Sequence, residues 1–238
     1  MNKYRLFAWM ILLASLAGFI NTVSVFSFGG TTVSHITGLL SKFSISVSTG
    51  EIGDGLSVFF VILSFFVGAV VAGIATGERA FYLHRIYGWI ILAVGVLMLI
   101  PLFLAPEYSV MLLAFLMGVQ NGMVVSFRGI LVRMTHMTGN LTDFGVFVGY
   151  KIRGNREEKP ISGVVPASAI AGFTVGGILG ILFYSLLGIY VFALASGVYL
   201  LLGFVYFHFQ KTCSDKDFNG IADDQESECF CDLTDGKN

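Results

Sequence analysis

Apolar residues run through most of this chain in long unbroken stretches, without the strict alternation of a half-buried strand. Runs of roughly 20 apolar residues, enough to cross a bilayer core, occupy about 5–27, 56–77, 86–105, 108–127, 163–187 and 189–209. The last two are parted by little more than Gly188, which predicts a tight helical hairpin, and Pro101 and Pro106 punctuate the end of the third. Two connections, 28–55 and 128–162, are too polar for ordinary spans. Within them, 39–50 (Leu39, Leu40, Phe43, Ile45 and Val47 among serines and Lys42) and 141–152 (Leu141, Phe144, Val146, Phe147 and Val148) predict short amphipathic helices. These either lie at the membrane interface or dip in as re-entrant halves, where irregular backbone lines a cavity.

One polar-tipped segment occurs twice. Gly18 and Asn21 lead to His35-Ile36-Thr37-Gly38, and Gly118 and Asn121 lead to His136-Met137-Thr138-Gly139. The glycine and asparagine pairs are 100 positions apart and the His-x-Thr-Gly pairs 101, so one residue was inserted between them. Self-similarity of this length means two halves built alike.

Composition changes the solvent. The chain is 55% hydrophobic and only 12% charged, with a mean hydropathy of +0.82, whereas soluble domains carry about 25% charged residues. The 29 glycines fit lipid, where helices associate through small residues. The partner is the bilayer, and a net charge of −1 argues against nucleic acid. Lys3 and Arg5 before an apolar run have the form of a signal peptide. The same segment recurs in mid-chain at 111–127, so it is read as the first span.

Basic residues orient the spans, because Lys and Arg accumulate in cytoplasmic loops. With six spans, thirteen of the fourteen fall on one side together with both termini, and Lys42 alone lies on the other. Both termini are therefore expected in the cytoplasm. Three spans per half is an odd number, so the second half is expected upside down, with His35 facing outside and His136 facing the cytoplasm. Inverted repeats with short or broken helices are a recurrent construction of secondary transporters.

Several residues carry candidate chemistry. Asn21 and Asn121 sit late in their spans beside Thr22 and Gln120. Polar groups at such depth are either solute ligands or interhelical hydrogen bonds worth about 1 kcal/mol. His35-x-Thr37-Gly38 and His136-x-Thr138-Gly139-Asn140 read as helix caps, with Thr37, Thr138 or Asn140 accepting backbone hydrogen bonds and the glycine allowing close backbone approach. Their histidines would serve as gates titrating near neutral pH. Asp143 reads as a helix-start carboxylate, Arg128 and Arg133 as interfacial snorkelers. The small-residue surface of Gly172, Gly176, Gly177 and Gly180 would pack a helix within or between subunits, compatible with a homo-oligomer. Asp54 falls in an external loop with no partner acid expected in a facing span. With no His-Glu-x-x-His, Gly-x-Ser-x-Gly or phosphate loop, the chain is not read as an enzyme.

The tail differs. Asp215, Asp217, Asn219, Ile221 (through its carbonyl), Asp223 and Glu226 fall at calcium-loop positions, with Gly220 at the turn. Ca2+ is the one cofactor the sequence suggests. Cys213, Cys229 and Cys231 all lie in this tail and are expected as reduced thiols in the cytoplasm.

The motifs Gly18-x-x-Asn21 to Thr37-Gly38, and Gly118-x-Gln120-Asn121-Gly122 to Thr135-His-Met-Thr-Gly-Asn-Leu-Thr-Asp143, resemble the YoaK-like family of bacterial membrane proteins, a domain of unknown function. The resemblance covers residues 1 to about 210. It implies a multi-span inner-membrane protein with a small solute of unassigned identity. The family commonly has aspartate at the place of Asn21 and Thr-Gly-Asn at Thr37-Gly38-Leu39, which removes a simple carboxylate proton coupling from this chain.

The expected architecture is all-α: about six transmembrane helices in two inverted three-helix repeats (1–105 and 106–210), with short re-entrant or interfacial helices and an acidic tail (211–238). The expected function is a transporter or channel-like protein for a small solute. Asn21, Thr22, Gln120 and Asn121 are placed near its centre, and the histidine segments at its gates. The alternative is a calcium-responsive scaffold or receptor without transport.

Overall fold

The computed structural model describes residues 3–77, 85–123, 125–127, 130–132, 135–155 and 157–217. Among these the chain forms eight α-helices: α1 (Lys3–Ser27), α2 (Ile36–Thr49), α3 (Ile52–Thr76), α4 (Arg85–Leu97), α5 (Pro106–Gly122), α6 (Met137–Ile152), α7 (Ile161–Leu187) and α8 (Val191–Asp217). A short antiparallel ribbon, β1 (Val125–Phe127) and β2 (Ile130–Val132), joins α5 to α6. The structure moves several expected boundaries. Leu97 ends α4, and a 3-10 turn containing Pro101 replaces the last turn expected of the third span. The fourth span begins with Pro106 at its first position, where a missing N–H costs nothing, and stops at Gly122 rather than 127.

Among the described residues four segments are long and apolar enough to cross a membrane: Phe7–Ser27, Ile52–Thr76, Arg85–Leu102 and Ile161–His208. The last contains both α7 and α8, turned at Gly188–Tyr190. They are joined as tightly as Gly188 suggested, yet they diverge, since each helix finds its main partner elsewhere.

Packing falls into three groups. Helix α7 lies along α1 and carries α6, α3 lies along α5 and carries α2, and α4 pairs with α8. Glycines set the first two contacts at backbone distance. A Cβ at Gly18 would meet the Phe173 carbonyl, and one at Gly176 would meet the Ser15 carbonyl. In the other group a Cβ at Gly118 would meet the Phe65 carbonyl, and one at Gly68 the Phe115 carbonyl. Every partner recurs at a fixed spacing, 100 residues in α1 and α5, 108 in α3 and α7. The α4–α8 pair repeats it, with Gly95 against Leu200 and Gly203 against Leu92. Gly172, Gly176, Gly177 and Gly180 all face α1, so this stripe is spent inside the chain.

Helices α2 and α6 end alike. Gly50 (φ +79°) donates to Val47 O while Glu51 donates to Ser46 O, and Gly154 (φ +84°) donates to Lys151 O while Asn155 donates to Tyr150 O. Both are left-handed Schellman closures. The connection 153–160 before α7 is six residues longer than Gly50-Glu51 before α3, and α6 is two residues longer than α2, so the spacing rises from 101 on the amphipathic helices to 108 on the helices that follow.

The core holds α1 and α5. Leu13, Ala17, Ile20 and Val23 on one, and Leu113, Leu116 and Met117 on the other, are fully or nearly fully buried. Large side chains on α3 and α7 instead point outward, with Ile74 79% and Leu186 78% exposed. Contiguous exposed apolar surface of this extent is a lipid-facing face, and the molecule is a multi-pass membrane protein. Its hydroxyls are compatible with lipid, because Ser41, Ser44, Ser48, Ser64 and Ser185 donate to carbonyls four residues back in their own helices.

Gly68→Val or Gly176→Val should each force a backbone pair apart, with an overpacking cost of about 1–3 kcal/mol and a lower unfolding temperature in detergent. Gly145→Ala on α6, whose Cβ would meet nothing within 4 Å, should be neutral or stabilising by up to about 1 kcal/mol. Indistinguishable melting curves for all three would remove the backbone contact as the organising feature.

Candidate functional site

The repeated polar segments turn out to be a splice between a span and the amphipathic helix after it. Near the end of α1 the Asn21 side-chain oxygen accepts the Val33 N–H (3.3 Å), the Ser34 N–H (3.2 Å) and the Ser34 hydroxyl (2.9 Å). Near the end of α5 the Asn121 oxygen accepts the Thr135 N–H at 3.3 Å. Ser34 and Thr135 are again 101 residues apart. Each carboxamide thus holds its own connection against the C-terminal end of the helix that carries it. Val33 and Ser34 are buried there, and α2 then packs along α3.

His35 and His136, not the threonines, occupy the N-cap positions of α2 and α6, and neither makes a side-chain cap hydrogen bond. The expected capping by Thr37, Thr138 or Asn140 is therefore corrected. All three lie inside the first turns, and the Thr37 and Thr138 carbonyls accept from Ser41 and Thr142. The glycines serve the imidazoles: a Cβ at Gly38 would come 2.5 Å from the His35 ring, and one at Gly139 2.6 Å from the His136 ring. Both histidines are exposed.

Gln120 is the one carboxamide in the deep core, 4% exposed. Its nitrogen donates to Leu13 O on α1 (2.9 Å), and its oxygen accepts the Tyr199 hydroxyl of α8 (2.5 Å). One side chain on α5 therefore ties the three helix groups together. The matching positions of the other half are Ile20 and Ile91, both buried and apolar. Thr22 packs its hydroxyl against Gly177.

The described residues line, among others, two cavities in equivalent places. One, of about 340 Å³, lies among α2, α3 and α5 and is lined by Lys42, Asp54, Ser57, Val58 and Glu107 among others. The other, of about 260 Å³, lies between α6 and α7 and is lined by Asn140, Asp143, Glu158, Ser162, Val165 and Pro166 among others. Asp54 thus has a partner acid after all: Glu107, in the first turn of α5, which sequence separation hid. Asp143 lies in the second turn of α6, not at its start. Of the proposed binding residues only Asn140 lines either cavity; Asn21, Thr22, Gln120 and Asn121 are used in packing and loop tethering. Lys42, Glu107 and Glu158 went unnoticed as site residues because nothing local marks a charged residue as cavity-lining.

The tail reading falls at the edge of what is described. Asp215 and Asp217 lie on the helical backbone of α8, while Asn219, Ile221, Asp223 and Glu226 lie outside the described residues, as do Cys229 and Cys231. Arg128 and Arg133 are outside them too. Among the described residues no group of three or more His, Cys, Asp or Glu side chains is arranged to hold a metal ion.

The family model described as "Protein of unknown function (DUF1275)" matches residues 9–205. The chain belongs to the DUF1275 family. No curated protein and no solved structure matches it. The DUF1275 match runs from α1 to the middle of α8, so both splices, the Gln120 junction and both cavities fall within it, and the calcium-loop segment does not. The resemblance to YoaK-like proteins drawn from the two motifs agrees with this membership.

In this DUF1275 protein Gln120→Leu should cost about 1–3 kcal/mol, because it leaves the Tyr199 hydroxyl buried without an acceptor. Gln120→Leu/Tyr199→Phe should recover most of that loss, since the pair then approaches the apolar arrangement of the other half. A double-mutant cycle on thermal unfolding reads the coupling; strictly additive costs would mean the two side chains act independently.

Proposed function

We propose that the protein carries a small solute across the bacterial inner membrane, using six spans arranged as two inverted repeats with both termini in the cytoplasm. The observation that carries this reading is the equivalence of the two cavities. Lys42, Asp54, Ser57 and Val58 of one occupy the places of Asp143, Ser162, Val165 and Pro166 of the other, 101 residues apart on the amphipathic helix and 108 on the helix that follows. Two like cavities, one per half, are the vestibules that alternating access between inverted repeats requires. Length supports six spans. The segment Ile161–His208 has 48 residues, about 72 Å of helix, more than twice a bilayer core of about 30 Å, and it is broken in the middle. Helix α5, 17 residues long and so about 25 Å, is the sixth, set in the protein core.

Helices α1, α6 and α7 form one rigid unit and α5, α2 and α3 the other, each held by backbone contact. Between the units α1 and α5 meet mainly through side chains and the Gln120 bond. Rocking along that seam, with α4 and α8 as support, would expose one cavity at a time. The acid-rich tail and its calcium loop are regulatory at most in this scheme.

Topology is tested with Ser41→Cys and Thr142→Cys, two matching exposed positions, in a chain whose Cys213, Cys229 and Cys231 are serine. A membrane-impermeant maleimide should label Ser41→Cys on intact cells and Thr142→Cys only after permeabilisation. Labelling of both from one side would sink the inverted arrangement. For function, thermal unfolding in detergent against a solute panel should reveal a stabilising solute whose effect survives removal of 211–238. Stabilisation by calcium alone, lost with the tail, would replace transport with the calcium-responsive scaffold.

A further inference from the structure

We infer that the cavity between α6 and α7 binds a small organic ammonium that also carries a hydroxyl or carbonyl oxygen, which names the solute class for the transport reading above and rests on it for what happens after binding.

The argument starts from an unused donor. Asn140 is 9% exposed and lines this cavity, and its side-chain nitrogen is buried without a hydrogen-bond partner. A buried amide left unpaired is destabilising, so the position favours a ligand that brings an acceptor oxygen to it. The matching residue of the other half is Leu39, buried and apolar, so the fold does not need an amide here.

Charge decides the rest of the ligand. Asp143, one turn along from Asn140 on the same face of α6, and Glu158 from the bridge to α7 both line the cavity. The Lys151 ammonium is held by the Asn155 and Glu158 carbonyls of that bridge. Two carboxylates repel an anion. Among the described residues no third His, Cys, Asp or Glu side chain joins them to hold a metal ion. A single ammonium with a carbon skeleton satisfies them, and the cavity supplies a wall for the carbons from Val146, Phe147 and Tyr150. Aromatic rings attract cations through their faces, and the Phe147 ring already holds the Lys151 ammonium 5.6 Å from its centre.

The test uses the full chain in detergent with ethanolammonium, ethylammonium and glycolate as probes, read by thermal unfolding across a concentration series. Ethanolammonium should stabilise most, ethylammonium less, and glycolate not at all. Asp143→Asn/Glu158→Gln should weaken ethanolammonium at least tenfold, while Asp143→Glu retains it. Asn140→Leu, which copies Leu39 and so should fold, should erase the preference for ethanolammonium over ethylammonium. Equal or better stabilisation by glycolate, or carboxylate variants that bind as the unaltered chain does, would overturn the inference, as would a preference that survives Asn140→Leu. Flux of labelled ethanolammonium into proteoliposomes separates the two readings. Binding with these variant effects but no flux would end the transport reading and leave this site standing. Flux unaffected by Asp143→Asn/Glu158→Gln would keep transport and discard the site.

Discussion

Everything in this architecture depends on four places where one helix backbone rests on another. Gly18 and Gly176 bring α1 and α7 together, and Gly68 and Gly118 do the same for α3 and α5. In lipid there is no hydrophobic force to draw two apolar helices together, so close van der Waals contact has to do it. A single Cβ at any of the four would strike a carbonyl. Partners are exchanged between the halves, α1 with α7 and α5 with α3, which makes each half structurally incomplete without the other.

The second constraint is that polar groups inside a membrane must find partners within the protein. Serine hydroxyls meet it locally, by bonding one turn back. Asn21 and Asn121 meet it by accepting from the backbone of the connection that follows, which ties the start of α2 to α1 and that of α6 to α5. Gln120 meets it across helices. Its single side chain joins α5, α1 and α8, where the opposite half uses plain apolar packing. The halves therefore differ in a few interior and cavity positions, Gln120 against Ile20, Asn140 against Leu39 and Asp143 against Lys42. Function is expected in such differences, because packing alone would not require them.

The positions of all eight helices were legible from apolar runs and amphipathic patches, apart from the ends near Pro101 and Pro106 and the end of α5, where the apolar run to 127 gives way to a ribbon after Gly122. The repeat was legible only in part. A comparison at spacing 100 or 101 recovers the motifs, but the longer 153–160 bridge shifts the register to 108. Phe65 and Phe173, or Leu92 and Leu200, then no longer line up by eye. The cavities were harder still. Asp54 and Glu107 are more than fifty residues apart, and only the packing of α3 on α5 makes them neighbours.

The sequence by itself determined that this is a multi-pass helical membrane protein with a duplicated, asparagine-anchored motif, because hydropathy and self-similarity are properties of the string. Tertiary structure decided the roles. It assigned the asparagines to tethering, the motif glycines to making room for histidine rings, and the glycine stripe of α7 to α1. It also brought acids from distant segments to the two cavities. The helix pairings are settled by contacts between residues about 50 to 160 positions apart, while the tethers span only 12 to 14 residues, across bends that no periodicity records.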